Sequence, residues 1–413
     1  MEVGGCDLVQ LAHEHGTPLY IYDEATVRQR ASEYVAAMGD SGQVLYSAKA
    51  FASPQFLRVI AEEGLGLDVV SAGELYIALK SGFPKDRIHF LGNNKSIEDL
   101  QSAYDAGATI VIDGDHEFQL LKEIVPEGKR TPVMLRLSPG VKPDTHDHIS
   151  TGQLDSKFGF SIESGAARSA IEKALKDPRL ELVGLHSHIG SQIFALGAYA
   201  DAMEIMLDLL VKLRDELKYE PHKLGAGGGL GIAYTRNDDP PTPREFVETV
   251  RHAMVAGCAK RNLKVPQLVV EPGRSIAGPA GMALYTVGSI KDIPGVRRYV
   301  AVDGGMGDNI RPKLYGARYE AYLASDPDRA PDGKVTIAGK YCESTDILIT
   351  DIEMPALKSG DIITLPAAGA YCLAMASNYN GMPRPEVLML RDGRASVMRR
   401  RETLDDLLTA EVF

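Results

Sequence analysis

The sequence has no tryptophan, only four cysteines and no excess of positive charge. Each shortage excludes something. Cys6, Cys258, Cys342 and Cys372 form no CxxC pair and no disulfide framework, which points to a reducing compartment. The formal net charge is −11, so a nucleic-acid surface built from clustered Lys and Arg is not expected. An anionic substrate would need a local group of arginines instead. No apolar run approaches the roughly 18 residues of a membrane span. Met1 to Gly16 lacks the basic stretch and apolar stretch of a signal peptide. The expectation is a soluble, cytoplasmic protein that binds neither nucleic acid nor membrane.

What is present is apolar material for a large core, 44% of 413 residues. That length accommodates a barrel of about 250 residues and a further domain. Pro18–Tyr22 reads as a strand and Glu24–Met38 as a helix. Eight β-type runs follow: Val44–Ala48, Leu67–Val70, Ile88–Leu91, Thr109–Ile112, Val133–Leu137, Leu182–Leu185, Lys223–Ala226 and Leu268–Val270. Segments of helical periodicity separate them, among them Pro54–Glu63, Glu74–Ser81, Ile97–Ala106, Ala198–Glu216 and Arg244–Lys260. Strands alternating with helices predict a parallel sheet, and runs apolar on both faces fit strands buried on both sides. An open doubly wound sheet would show the same alternation. Beyond about Gly278 the texture changes to short runs between Gly, Pro and Asp clusters: Met282–Ile290, Arg298–Val302, Lys334–Ala338, Ile362–Leu365 and Glu386–Leu390. No further long helix is expected before Thr403–Leu408. The fold expected is a TIM-type (β/α)8 barrel over 26–279, plus an all-β sandwich or barrel of 280–413 that takes in the N-terminal strand of 1–25.

Catalytic groups of such barrels gather at the C-terminal ends of the strands. There the sequence places Lys49; Asp68 and Ser71; Asn93 and Asn94; Asp113; Arg136; His186 and His188; Gly227, Gly228 and Gly229; and Glu271, Gly273 and Arg274. Singly, each has a plain structural explanation; a strand-end lysine is usually solvated and a barrel histidine a satisfied core group. Together they point to a site. The glycine triplet does not fit G-x-G-x-x-G and comes late in the chain, so a dinucleotide fingerprint is not indicated. Bare amides there can wrap a phosphate, or the glycines can serve a turn. His146–His148 and His186–His188 are each spaced so that two imidazoles share one face of a strand. No third ligand stands at a metal spacing, and no metal is expected.

Tyr46-Ser47-Ala48-Lys49-Ala50, His186-Ser187-His188-Ile189-Gly190-Ser191-Gln192, Gly227-Gly228-Gly229 and Glu271-Pro272-Gly273-Arg274 resemble motifs of the pyridoxal-phosphate decarboxylases of alanine-racemase-like fold. Asp308-Asn309-Ile310-Arg311-Pro312-Lys313-Leu314-Tyr315, Cys342-Glu343-Ser344-Thr345-Asp346, Gly369-Ala370-Tyr371 and Met375-Ala376-Ser377-Asn378-Tyr379-Asn380 resemble its diaminopimelate decarboxylase branch. The resemblance runs in order over nearly the whole chain. It implies pyridoxal 5'-phosphate as cofactor, carried on Lys49, with Glu271 beside the pyridine nitrogen and His188 stacked on the ring. The amides of Gly228, Gly229, Gly273 and Arg274 and the hydroxyls of Ser191 and Tyr371 would hold the phosphate. Asp68 and Glu74 resemble family residues near the cofactor.

The implied substrate is meso-diaminopimelate, converted to L-lysine and CO2 at the end of lysine biosynthesis. Arg274 and Arg311 would clamp the distal carboxylate, a task suited to a bidentate fork. Tyr315 and Tyr371 would assist, and Glu343 would pair with the distal ammonium. Cys342 would return a proton to the carbon that loses CO2. In the family the segment bearing Cys342 and Glu343 comes from a second subunit, which implies a homodimer. Ser47, Phe51 and Thr345 stand where relatives often carry other residues. Decarboxylases of ornithine, arginine or carboxynorspermidine usually place an acid where Arg311 stands. A racemase would normally set arginine in place of Glu271. A non-catalytic relative would be expected to lose Lys49 or the phosphate donors. The residue readings leave the roles of Arg136, His146 and His148 open.

Overall fold

The computed structural model describes residues 1–141 and 156–413; His146 and His148 lie outside the described residues. Two compact units emerge, Gln29–Gly231 with Pro240–Ser275, and Met1–Arg28 with Ile232–Asp239 and Ile276–Phe413. Strand β1 (Leu19–Asp23) belongs to the second of these.

The first unit is a closed ring of eight parallel strands: β2 (Gly42–Ser47), β3 (Gly66–Val69), β4 (Ile88–Phe90), β5 (Thr109–Ile112), β6 (Thr131–Ser138), β7 (Leu180–Ser187), β8 (Lys223–Gly227) and β9 (Gln267–Val270). Each pairs with the next, and β9 returns to β2. Closure decides between the barrel and the open sheet that the sequence left as alternatives. All eight sequence-predicted runs fall on barrel strands. β3 and β4 are buried along their whole length, as strands covered by helices on one side and a packed interior on the other must be. The helices turn apolar faces inward. In Pro54–Glu62 these are Phe56, Leu57, Val59 and Ile60, and the Ser53 hydroxyl accepts the Phe56 N–H at 3.3 Å to start the helix. Ser96 with Asp99 and Thr242 with Glu245 form complete capping boxes on the helices Ile97–Ala106 and Pro243–Arg261.

The second unit is built on the long strand β10 (Gly281–Ile293), which pairs antiparallel with β1, with β11 (Arg297–Val302) and with β14 (Ile362–Leu365). Between the last two in sequence lie β12 (Gly333–Ala338), parallel to β11, and β13 (Ile347–Met354), antiparallel to β12. On the other flank β15 (Glu386–Arg391) runs parallel to β1 and is edged by β16 (Arg394–Arg399). The N-terminal strand is thus part of this sheet, as expected. Leu8, Leu11, Leu19, Ile21, Leu284, Ile362, Leu388 and Leu390 form one of its cores.

Several elements lie outside the sequence expectations. β13 alternates poorly between buried and open positions, and β16 is an exposed, charged edge. The structure adds the helices Leu8–His15, Asp115–Ile124 and Ala166–Lys176, the second burying Phe118, Leu121 and Ile124, and the helix expected at Thr403–Leu408 is a single 3-10 turn, Asp405–Leu408, that buries no residue. Without an apolar stripe to dock, a short helix has little to hold it.

Candidate active site

Lys49 sits in a 3-10 turn, Ala48–Ala50, directly after β2, with its side chain exposed. Its charge acts on Asp68, Glu74, Glu271 and His188, so strand ends remote in sequence meet at one end of the barrel. The Ser47 hydroxyl donates to Asp68 Oδ2 at 2.6 Å. Burial and the neighbouring Glu271 push the Asp68 carboxyl up to about 7, against the pull of Lys49 and Ser47. Glu74, held by the Val70 N–H at 2.9 Å, is also raised, mainly by burial.

Glu271 follows β9 and is buried. Burial opposes its charge, but the His186 ring, 2.9 Å away from Nε2 to Oε2, more than offsets this and holds the carboxyl below its ordinary range. His188 is half-buried, and Gly228 N–H donates to its Nδ1 at 3.2 Å. That bond places the ring proton on Nε2. Burial and the charges of Lys49, Arg136 and His186 hold His188 well below the usual histidine range, so it is neutral. A neutral ring suits stacking on a cationic pyridine better than an imidazolium would.

The glycine-rich turn is packed so closely that no side chain fits. A Cβ on Gly228 would stand 2.0 Å from the Glu271 carbonyl oxygen, and one on Gly229, at φ +100°, 2.1 Å from that of Gly190. Backbone bonds tie the surrounding loops: Ile193 N–H to Gly229 O at 3.0 Å, Glu271 N–H to Gly227 O at 2.9 Å and Ser47 N–H to Pro272 O at 3.0 Å. The Tyr199 hydroxyl donates to Gly228 O at 3.0 Å, and Arg274 Nη2 donates to Ser191 Oγ at 2.8 Å. Gly273 packs against Ser47 and Ala50, where a Cβ would meet both at 3.1 Å. Ser191, Gly228, Gly229, Gly273 and Arg274 therefore belong to one cluster of loops lined by backbone amides.

The residues fit pyridoxal phosphate. The glycine turn admits no side chain, so a phosphate could come close to its backbone, although the Gly228 N–H is already donated to His188 Nδ1. Glu271 is a buried anion suited to a protonated ring nitrogen, and Asp68 Oδ1 is a buried acceptor without a protein partner. Arg136 is buried beside Asp113, with Nη1 to Oδ1 at 3.3 Å, and its guanidinium lies 4.2 Å from the Phe158 ring centre. Asp113 also accepts the Gly159 N–H at 3.0 Å, so Arg136 and Asp113 fasten the chain at Phe158–Gly159.

In the β-unit, Arg311 begins a short helix, Arg311–Tyr315, and is buried. Its Nη1 donates to the hydroxyls of Tyr234 at 2.8 Å and Tyr319 at 2.6 Å. Among the described residues no carboxylate pairs with it, and its Nε is buried without a partner. Tyr315 and Tyr371 are half-buried, the latter with φ +62°. Cys342 and Glu343 are exposed on a loop whose base is pinned by buried Asp346, which accepts the N–H groups of Met306 at 2.7 Å and Tyr341 at 2.8 Å.

Sequence reasoning named His186 without seeing that it pairs with Glu271. It missed Tyr234 and Tyr319 around Arg311, and the buried Lys95–Glu117 pair at 2.7 Å. Tyr234 and Tyr319 carry no motif, and a lysine gives no sign in sequence that it will be buried.

Residues 24–278 match the family model "Pyridoxal-dependent decarboxylase, pyridoxal binding domain". The diaminopimelate decarboxylase of Bacillus subtilis is 46% identical, over 100% of this chain and 95% of that protein. That of Bacillus methanolicus is 45% identical, over 97% of this chain and 94% of its own. The solved structure of the diaminopimelate decarboxylase of M. jannaschii in complex with L-lysine superposes with a TM-score of 0.91 at 35% identity, covering 98% of this chain and 94% of that one.

Proposed function

Since the chain belongs to the pyridoxal-dependent decarboxylases, in their diaminopimelate decarboxylase group, we propose a residue-by-residue account of how it acts. It is a carboxy-lyase that uses pyridoxal 5'-phosphate to convert meso-2,6-diaminopimelate to L-lysine and CO2, the last step of lysine biosynthesis by that route. When bound, the cofactor supplies the electron sink that accepts the pair left as the carboxylate departs. In this account the barrel domain, 26–279, holds the cofactor, and the β-domain, 1–25 with 280–413, supplies most of the substrate contacts.

Lys49 carries the cofactor through its amine. Glu271 stays ionised and keeps the ring nitrogen protonated; His188 covers one ring face; and Asp68 shares the pocket as an acceptor. Ser191, Gly228, Gly229, Gly273, Arg274 and Tyr371 hold the phosphate. Arg274, Arg311, Tyr315 and Tyr371 receive the distal carboxylate of the substrate, and Glu343 its ammonium. Cys342 delivers a proton from its thiol to the α-carbon.

The observation that carries the substrate reading is Arg311. A buried guanidinium that, among the described residues, is bonded to phenols and to no carboxylate is a costly arrangement unless an anion completes it. A substrate ending in a lone ammonium, such as ornithine, would leave it incomplete. The exposure of Cys342 and Glu343 supports their delivery to a second copy of the chain, making the enzyme a homodimer with shared sites. Among the described residues no helix is long and apolar enough to cross a membrane, and the absence of a disulfide framework supports a cytoplasmic setting. The test is lysine release by the purified protein given pyridoxal phosphate and meso-diaminopimelate, with ornithine and arginine in parallel. Lysine from diaminopimelate alone is expected; product from ornithine or arginine at a comparable rate would overturn the specificity assigned to Arg311.

A further inference from the structure

His186 stands on β7 and Glu271 follows β9, with β8 between them in the sheet. Their contact therefore needs an opening in β8, and the sequence supplies one. His186 is in register with Gly225 of β8, and a Cβ there would come within 2.9 Å of His186 Cδ2. The β8–β9 register also shifts between Gly225 and Gly227. With no side chain in the way, the imidazole spans the strand and brings Nε2 to 2.9 Å from Glu271 Oε2. The ring is fully buried.

Its other nitrogen, Nδ1, is buried without a partner. The Glu271 carboxylate can only accept, so Nε2 carries a proton and donates it to Glu271. One carboxylate oxygen is thereby committed to the barrel interior, and the carboxylate plane is fixed. His89 on β4 acts electrostatically on the same carboxylate, but burial holds His89 down to about 3, so it adds no charge. A histidine that only filled core volume would need neither the gap at Gly225 nor this alignment.

We infer that His186 is a positioning residue, which reaches through the gap in β8 to orient the Glu271 carboxylate toward the pyridine nitrogen of the cofactor. The inference rests on the assignment of Glu271 made above. It predicts that the donor at Nε2 matters and the aromatic ring does not. A glutamine at this position can place an amide N–H near Nε2, whereas asparagine is too short and leucine has no donor.

The experiment loads pyridoxal phosphate labelled with 15N in the ring onto wild type, His186→Gln, His186→Asn and His186→Leu. It reads the ring-nitrogen chemical shift by NMR, with kcat, KM and melting temperature alongside. The expected result is a protonated-pyridine signal in wild type and His186→Gln, displaced toward neutral pyridine in His186→Asn and His186→Leu. In those two variants kcat falls by about tenfold to a hundredfold with KM nearly unchanged, the scale seen when an orienting partner of a ligating group is lost. A wild-type signal in His186→Asn, or equal displacement in His186→Gln and His186→Leu, would overturn the inference. Should His186→Leu fail to fold, the asparagine–glutamine pair carries the same comparison. The nitrogen shift needs no turnover, so a wrong substrate assignment would appear in kcat alone and leave this readout standing.

Discussion

The barrel mouth and the Tyr341–Asp346 loop of the β-unit carry the same amount of proposed chemistry in opposite ways. At the barrel mouth most groups are buried or half-buried, and several are answered by another from the same unit: Asp68 by Ser47, Glu271 by His186, His188 by the Gly228 amide, Ser191 by Arg274. On the loop the backbone is held, by Asp346 at the base and by the Cys342 N–H donating to Asn380 Oδ1 at 2.9 Å, while the side chains of Cys342 and Glu343 are exposed. A site that must hold a cofactor through every turnover gains from preorganisation. A thiol that must deliver a proton gains nothing until something encloses it, because proton transfer needs a positioned group of matched acidity. On the proposed roles, the barrel mouth is preorganised to bind, whereas the loop can act only once something encloses Cys342.

The largest effect that would break this contrast is at Lys49. Lys49→Ala should abolish the visible absorbance of bound cofactor and all decarboxylation, because it removes the amine proposed to carry the cofactor. Cofactor absorbance and lysine release read both, and turnover retained by the variant would remove Lys49 from its role.

Cys342→Ala tests the other half. It should keep the cofactor spectrum of wild type and bind substrate, yet turn over about 10²–10⁴ times more slowly, the range for loss of a positioned acid. Mixing it with inactive Lys49→Ala subunits should restore part of the activity, since one composite site would then hold both groups. Failure to recover after proven subunit exchange would place both groups in one chain.

Arg311→Ala sits next in size. Loss of a buried charged clamp typically costs about 2–5 kcal/mol. The loss should appear in kcat/KM for diaminopimelate and leave cofactor affinity within a few-fold of wild type. Equal damage to cofactor binding would show that Arg311 serves the fold and not the substrate.

How far the sequence discloses this follows the same divide. The eight barrel strands are legible because each is a short apolar run punctuated by turns, and the strand-end polar groups follow from the architecture. The barrel's closure is not legible, since pairing β9 with β2 is a relation between the ends of a long segment. Nor is the pairing of His186 with Glu271, two strands apart, which depends on an unoccupied position at Gly225 on the strand between them. In the β-unit, β13 and β16 escape notice because an irregular or charged edge strand lacks the alternation by which strands are recognised. Arg311 is legible as a motif residue, but its burial among Tyr234 and Tyr319 is tertiary information.

The smallest expected effect sharpens the account of the barrel mouth through pH. Asp68 has its carboxyl raised to about 7 in the folded protein, chiefly by burial, against an ordinary value of 3.8. Below the lower value both folded and unfolded chains carry the proton. Between the two the unfolded chain ionises while the folded one keeps its proton, so the unfolded state binds fewer protons and stability falls as pH rises. Above the folded value this contribution is gone. In cofactor-free protein, Asp68→Asn removes that titration while its amide oxygen still accepts from Ser47. Its melting temperature should therefore decline less than that of wild type between about pH 4 and pH 7. Parallel melting curves for the two proteins across that window would mean that Asp68 is already ionised beside Lys49. The barrel mouth would then hold two buried carboxylates, Asp68 and Glu271, instead of one carboxylate and one acid.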